Sequence, residues 1–186
     1  MPTRYEALQL LEEWVQNENL RKHMLAVEAA VRAYARERGE DEERWGLAGL
    51  LHDLDWERYP DEHPLRAADA LRERGYPDDV VHAILAHRSD FTGVQPETPL
   101  DRTLVACDEL TGLITATALV RPNGIDDLKP KSVTKKMKDP TFARGVNRDE
   151  VRHGAELLGV DFTEHVQKVI DAMRGVTDAL GLSRTT

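Results

Sequence analysis

The chain has very little cysteine. Cys107 is the single one in 186 residues, so no internal disulfide can form and no thiolate cluster is available to zinc. Aromatic residues make up only 5%, which points to a core of leucine, valine and alanine rather than stacked rings. Long apolar runs are also missing. The longest candidate, Gly112 to Val120, falls far short of the roughly 18 uncharged residues that a spanning helix needs. The N-terminal stretch through Gln16 carries acids among its apolar positions and is not read as a signal peptide. Lysine is scarce too, with seven in all, and five of these (Lys129, Lys131, Lys135, Lys136 and Lys138) fall within ten residues. With 25 basic against 34 acidic side chains the formal net charge is −9. That balance argues against binding long nucleic acid, which needs a broad basic face, and against adhesion to an anionic membrane. A reducing, cytoplasmic setting is the natural expectation.

Helical periodicity is abundant. Thr3 can cap a helix through Gln16 that carries Tyr5, Leu8, Leu11 and Val15 on one face. Asn17 or Asn19 can open a second, which stops near Gly39, and Asp41 a third, whose run from Trp45 to Leu51 is apolar nearly all round. Further helices are expected from His63-Pro64 to Gly75, from Pro77 to about Arg88, and from Pro99 to Val120, with a loop at 89–98. Arg121-Pro122-Asn123-Gly124 breaks the last of these. A short helix from Ser132 to Lys138 and two more at about 148–158 and 163–181 complete the chain. Nothing alternates at period two for long enough to make a sheet. The expected fold is all-α, one compact multi-helix domain over 1–186.

Several histidines and carboxylates sit where charge is awkward. His23 lies on the apolar stripe of the second helix, between Leu20 and Val27. His52 and Asp53 end the apolar run Leu47–Leu51, where an ionised carboxylate is costly unless paired or bound to a metal. Between Leu104 and Val120 only Asp108 and Glu109 carry charge, and Asp108 shares a helical face with Leu100 and Leu104. Each has a plain structural alternative: a core histidine with one hydrogen bond, a helix-terminal cap, a salt bridge to one of the 18 arginines. Together they place one histidine, a His-Asp pair and a distant aspartate on three buried helices. Imidazole and carboxylate suit iron, manganese, zinc or nickel without any thiolate.

The ordered set His23, His52-Asp53, Asp108, with AGLLHD around the pair, resembles the HD-domain superfamily of metal-dependent phosphohydrolases over roughly residues 20–120. The resemblance implies one or two divalent metal ions held by His23, His52, Asp53 and Asp108, with His63 and His87 holding the second as in the binuclear branches. It implies Asp53 and His52 as the catalytic centre, Asp53 bridging the two ions, which lie about 3.5–4 Å apart and make a shared water acidic enough to attack phosphorus. The chain departs from the cyclic-dinucleotide phosphodiesterases of the superfamily, because the GYP segment is absent and their paired histidines read His87-Arg88.

Asp55 and Glu57 could support the ligand histidines from behind, although a solvated role fits at least one of them. The lysine segment could bring Lys131, Lys135 and Lys136 to a substrate phosphate, with Ser132 capping its helix, and Arg88 is a further candidate. A solvated basic face is the alternative. His82, His153 and His165 read as structural, the last two on exposed faces, and Cys107 as a packing residue. The expected activity is hydrolysis of a phosphoester in a small phosphorylated molecule, a nucleotide above all, by a chain that could also pair as a homodimer. Diester cleavage of a dinucleotide or cyclic nucleotide, a di-iron oxygenase on the same ligands, and a catalytically silent nucleotide-binding module remain the alternatives.

Overall fold

A computed structural model describes residues 1–183. Among these residues, eleven helices and no strand are present; the only β pairing is an isolated bridge between Gly124 and Ser183. The fold is all-α, as the periodicity predicts.

The polar residues flanking the helices set their boundaries. Helix α1 (Arg4–Trp14) starts at a reciprocal cap between Thr3 and Glu6, and α2 (Glu18–Arg38) starts at Asn17, whose side chain accepts from two main-chain N–H groups. Gly39 ends α2 with φ 70°, a left-handed conformation that costs glycine little. Helix α3 (Glu42–Leu51) is capped by Asp41. A run of turns leads to α4 (Leu65–Glu73), with Pro64 at its edge, and then to α5 (Asp78–Ala86). The expected loop at 89–98 contains a single helical turn, α6 (Ser89–Thr92), closed by Gly93. Thr98 and Asp101 cap α7 (Pro99–Leu119), the second long helix.

Two segments in the second half differ from expectation. Helix α8 spans Pro130–Met137 with Lys129 as its uncapped flank, so Ser132 lies inside it and does not cap it. Proline starts the helix instead, because its fixed φ suits the first turn. Helix α9 (Arg148–Leu158) falls where expected. The last segment divides into α10 (Phe162–Arg174) and α11 (Thr177–Leu180), because the chain leaves helical geometry at Val176, just after Gly175.

Helix α2 is the central element and packs on α3, α7, α10 and α11, while α7 carries α5 and α9. Two glycines allow close approach of one helix backbone to another. A Cβ on Gly49 would lie 2.8 Å from Cα of Glu28, and one on Gly154 would lie 2.7 Å from Cα of Ala106. The α2–α3 contact therefore places backbone against backbone three residues before His52. Beside it, the buried Glu28 accepts from Arg4 (2.6 and 2.9 Å) and Arg32 (2.9 Å), which ties α1 to α2. A buried carboxylate held by two guanidinium groups avoids the desolvation cost of an unpaired charge.

His165 is buried, contrary to the expected exposed position. Its spacing with Phe162, Val166 and Val169 puts it on the inner stripe of α10. Tyr34 donates its hydroxyl proton to Nδ1 (2.6 Å), and Nε2 donates to the Ala106 carbonyl (2.9 Å). Burial, opposed by the bond to Ala106, lowers its pKa and keeps it neutral. His153 is exposed, and His82 reaches Asp101 at 3.1 Å, so both stand apart from the site below. Cys107 is fully buried and unpaired, in keeping with a packing role.

Candidate metal centre

Five pieces of the chain converge on one cleft of about 260 Å³. Helix α2 brings His23 and α7 brings Asp108. The C-terminal end of α3 brings His52, with Asp53 immediately after it. His63 precedes α4, and His87 closes α5. The side chains form two sets, His23, His52 and Asp108, and Asp53, His63 and His87, and within each set the ligand atoms lie within 4.8 Å of one another.

Asp53 faces both sets. Its Oδ2 lies 3.5 Å from Nε2 of His52 and 3.8 Å from Nε2 of His23. Its Oδ1 lies 3.4 Å from Nε2 of His63 and 3.7 Å from Nε2 of His87. Asp108 Oδ1 lies 3.0 Å from Nε2 of His23 and 3.4 Å from Nε2 of His52. One carboxylate oxygen is thus turned toward each set, as a bridging ligand requires.

The outer nitrogens decide how the rings present themselves. His52 Nδ1 donates to the Gly49 carbonyl (2.8 Å), His87 Nδ1 donates to the Ile84 carbonyl, and His63 Nδ1 donates to Asp55 Oδ1 (2.7 Å). Two carbonyl oxygens and a carboxylate oxygen accept, so Nδ1 carries a hydrogen in each ring and Nε2 is turned inward, where it offers a lone pair whenever the ring is neutral. His23 Nδ1 makes a longer contact, 3.4 Å, to Thr111 Oγ1, whose own proton goes to the Asp108 carbonyl. Nε2 of His63 and His87 are 3.1 Å apart, two lone pairs face to face when both rings are neutral. Nε2 of His52 is fully buried and, among the described residues, has no well-aligned hydrogen-bond partner, only the Asp53 and Asp108 oxygens that face it at 3.5 and 3.4 Å. Ring nitrogens and carboxylate oxygens turned on common points suit a cation between them, and the donor set of imidazoles and carboxylates fits a divalent transition metal.

Electrostatics points the same way. Burial alone would drive Asp53 and Asp108 upward, but His52 and the other imidazoles outweigh it and hold both carboxyls below the ordinary range. Burial would lower His52, yet Asp53 and Asp108 raise it to about 9. The site holds its carboxylates ionised and attracts positive charge.

Asp55, Glu57 and the cationic candidates separate in the structure. Asp55 is fully buried behind His63, and its other oxygen accepts from the Ala67 N–H (2.8 Å). Glu57 is exposed and accepts from the N–H groups of Gln16 and Asn17, at the start of α2 rather than in the cleft. Arg88 lines the cleft and pairs with Asp90 (3.0 Å). Lys131, Lys135 and Lys136 are not among the lining residues; Lys131 and Lys135 are exposed, and Lys136 lies over the Phe142 ring at 4.2 Å. Amphipathic α8 turns Val133 and Met137 inward, which leaves its lysines outward.

Sequence reasoning missed Trp56, Glu109 and the Gly145-Val146 wall of the cleft. Trp56 meets His63 edge-on at 5.0 Å. Glu109 accepts from the Asn147 N–H (2.9 Å), and burial, with Asp108 and Glu150 nearby, raises its carboxyl to about 7. The isolated charges Asp108-Glu109 in an apolar run were the available signal for the latter. The Gly145-Val146 wall carried none, because a loop's tertiary position is not periodic.

Comparison with known proteins identifies the family. The HD-domain family model matches residues 20–113, just over half of the chain. Ribonuclease Y of Oleidesulfovibrio alaskensis is 34% identical over 99 residues, and Ribonuclease Y of Nitratidesulfovibrio vulgaris 35% over 100. Each alignment covers 52% of this chain and 18% of the relative, so the chain spans under a fifth of the length of those relatives.

Proposed function

The chain belongs to the HD-domain superfamily of metal-dependent phosphohydrolases, and from that premise we infer that its cleft hydrolyses a phosphoester of a small phosphorylated molecule, a nucleotide in the first instance. The observation that carries the reading is the inward turning of His23, His52, His63 and His87 around Asp53 and Asp108, with the outer nitrogens of three of the rings held by carbonyl or carboxylate oxygens.

His23, His52 and Asp108 would hold one ion and His63 and His87 a second, with Asp53 contributing an oxygen to each. Ions so held supply Lewis acidity to the phosphoryl oxygens and make a nearby water acidic. The protein's own share is orientation. Gly49, Ile84 and Asp55 fix the three rings so that none must rotate as substrate arrives. Arg88, at the His87 end, can exchange its exposed partner Asp90 for a substrate phosphate, since a guanidinium matches phosphate oxygens with two parallel bonds. Lys131, Lys135 and Lys136 would act only as a more distant positive field.

The relatives named Ribonuclease Y favour a phosphodiester as the second reading. A chain of net charge −9 with a small cleft suits a short substrate better than a long one. The lone, buried Cys107 is compatible with a reducing compartment. Phosphate release from manganese-loaded protein, scored across mononucleotides, dinucleotides and simple phosphomonoesters, tests the reading. Release that is lost in Asp53→Ala and His52→Ala supports it. No release from any member of the panel, or release unchanged by both substitutions, contradicts it.

A further inference from the structure

A second cavity, of about 310 Å³, adjoins the cleft at its His23 end. The two share His23 and Gly112 as lining residues. Three pieces of chain build it. The start of α2 supplies Asn19 and Lys22, the distal half of α7 supplies Thr115 and Ala116, and the end of α11 supplies Leu180 with Leu182 just beyond. The helical spacing explains the set, because 19, 22 and 23 lie on one face of α2, and 112, 115 and 116 on one face of α7.

The two spaces both reach Gly112, which has no side chain to set between them. A Cβ built there would meet only Val146 Cγ2, at 3.7 Å. The cavity's lining is mixed in a directional way. Leu180 and Leu182 give an apolar floor with 4% and 2% exposure, and half-buried Ala116 continues it. Asn19 and Thr115 offer an amide and a hydroxyl at the sides. Lys22 makes no ion pair among the described residues, and its Nζ would lie 3.5 Å from a Cβ on Gly181. Lys22, half-buried one residue before His23, puts an ammonium on the wall of this cavity, where it suits an anionic substrate.

Resting on the phosphoester reading above, we propose that this cavity seats the organic part of the substrate, a nucleoside. Ala116, Leu180 and Leu182 contact the face of the base, Asn19 and Thr115 meet its polar edge, and Lys22 lies toward the phosphate. A flat ring with a polar rim matches apolar walls with a few placed polar groups. A purely aliphatic chain would make no use of the polar groups of Asn19, Thr115 and Lys22.

The test compares adenosine monophosphate with methyl phosphate, which carries no base, on the full metal-loaded chain. Ala116→Phe fills the cavity, and Ala116→Leu does so less severely. Circular dichroism and thermal melting establish that each variant is folded. The expected result is a fall of at least tenfold in the ratio of kcat/KM for adenosine monophosphate to that for methyl phosphate in Ala116→Phe, with a smaller fall in Ala116→Leu. Lys22→Met should raise KM for adenosine monophosphate more than it lowers kcat. A ratio unchanged in both Ala116 variants would overturn the proposal while leaving the phosphohydrolase reading intact. Adenosine binding, measured by calorimetry, gives an arm that needs no turnover: it should be present in the wild-type chain and lost in Ala116→Phe. Failure of all hydrolysis would therefore remove the reading of the cleft, and the adenosine arm would still decide on the cavity. Adenosine that fails to bind, or binds equally to Ala116→Phe, overturns the proposal.

Discussion

Replacing Asp55 with asparagine separates the second ligand set from the first. Asp55 is fully buried and accepts two hydrogen bonds, from His63 Nδ1 at 2.7 Å and from the Ala67 N–H at 2.8 Å. Both partners are donors, and a carboxylate satisfies both. An amide has one acceptor and one donor end. If its nitrogen faces Ala67, two donors oppose each other in a buried place. If it faces His63, the ring must accept at Nδ1 and carry its proton on Nε2. That proton would occupy the lone pair directed at Asp53 and His87. Either way one buried group is mismatched, which costs about 1–3 kcal/mol. For a chain of this size that lowers the metal-free melting temperature by about 2–12 °C. Loss of a partner behind a ligand histidine typically weakens metal affinity about 10–100-fold. Calorimetric titration with manganese should therefore show two phases. The phase belonging to His23, His52 and Asp108 should stay within about threefold of wild type, and the other should weaken by the amount given. Equal weakening of both phases, or of neither, would refute the reasoning.

Other expectations follow from the same geometry. Gly49→Ala forces a Cβ to 2.8 Å from the Glu28 backbone, so thermal denaturation should show a loss of about 1–3 kcal/mol, together with weaker metal binding as α3 moves His52. The pKa of His52 is raised from 6.5 to about 9 in the metal-free chain. That stabilisation is fully present below 6.5 and is lost as pH rises through about 9. Metal-free stability measured by urea titration should thus fall across this window, while manganese affinity rises across it because the ion displaces the proton. Asp53 and Asp108, both lowered, add stability that is lost only as pH falls below the ordinary carboxylate value of 3.8. Arg88→Ala should raise KM for phosphorylated substrates about tenfold or more. Replacing Lys131, Lys135 and Lys136 together with alanine should change it less than twofold at physiological salt, because charges outside the cleft are screened.

Much of the fold was readable because its signals are local. Thr3, Asn17, Asp41 and Thr98 cap helices through their own side chains, and Gly39 closes one through its φ. Four of the six proposed ligands, His23, His52, Asp53 and Asp108, were readable for the opposite reason: each is a polar residue that conflicts with its apolar surroundings, and a conflict repeated on several helices calls for a shared explanation, whereas His63 and His87 came only from the family resemblance. What failed was tertiary. Five clustered lysines say that α8 is basic but not which cleft it faces, and its own apolar stripe of Val133 and Met137 turns the lysines away. His165 looked solvated beside Glu164 and Lys168, yet the inner stripe of α10 takes it to Tyr34. The His23-end cavity depends on three segments separated by up to about 160 residues, a proximity that helical periodicity does not encode.

The central claim is that Asp53 joins two ion sites, and anomalous diffraction from crystals of the manganese-loaded protein tests it most directly. Two peaks should appear, one among His23, His52 and Asp108 and one beside His63 and His87, with a different oxygen of Asp53 against each. Peaks absent from the cleft, or a single peak with His63 and His87 left on their metal-free partners, would contradict the account.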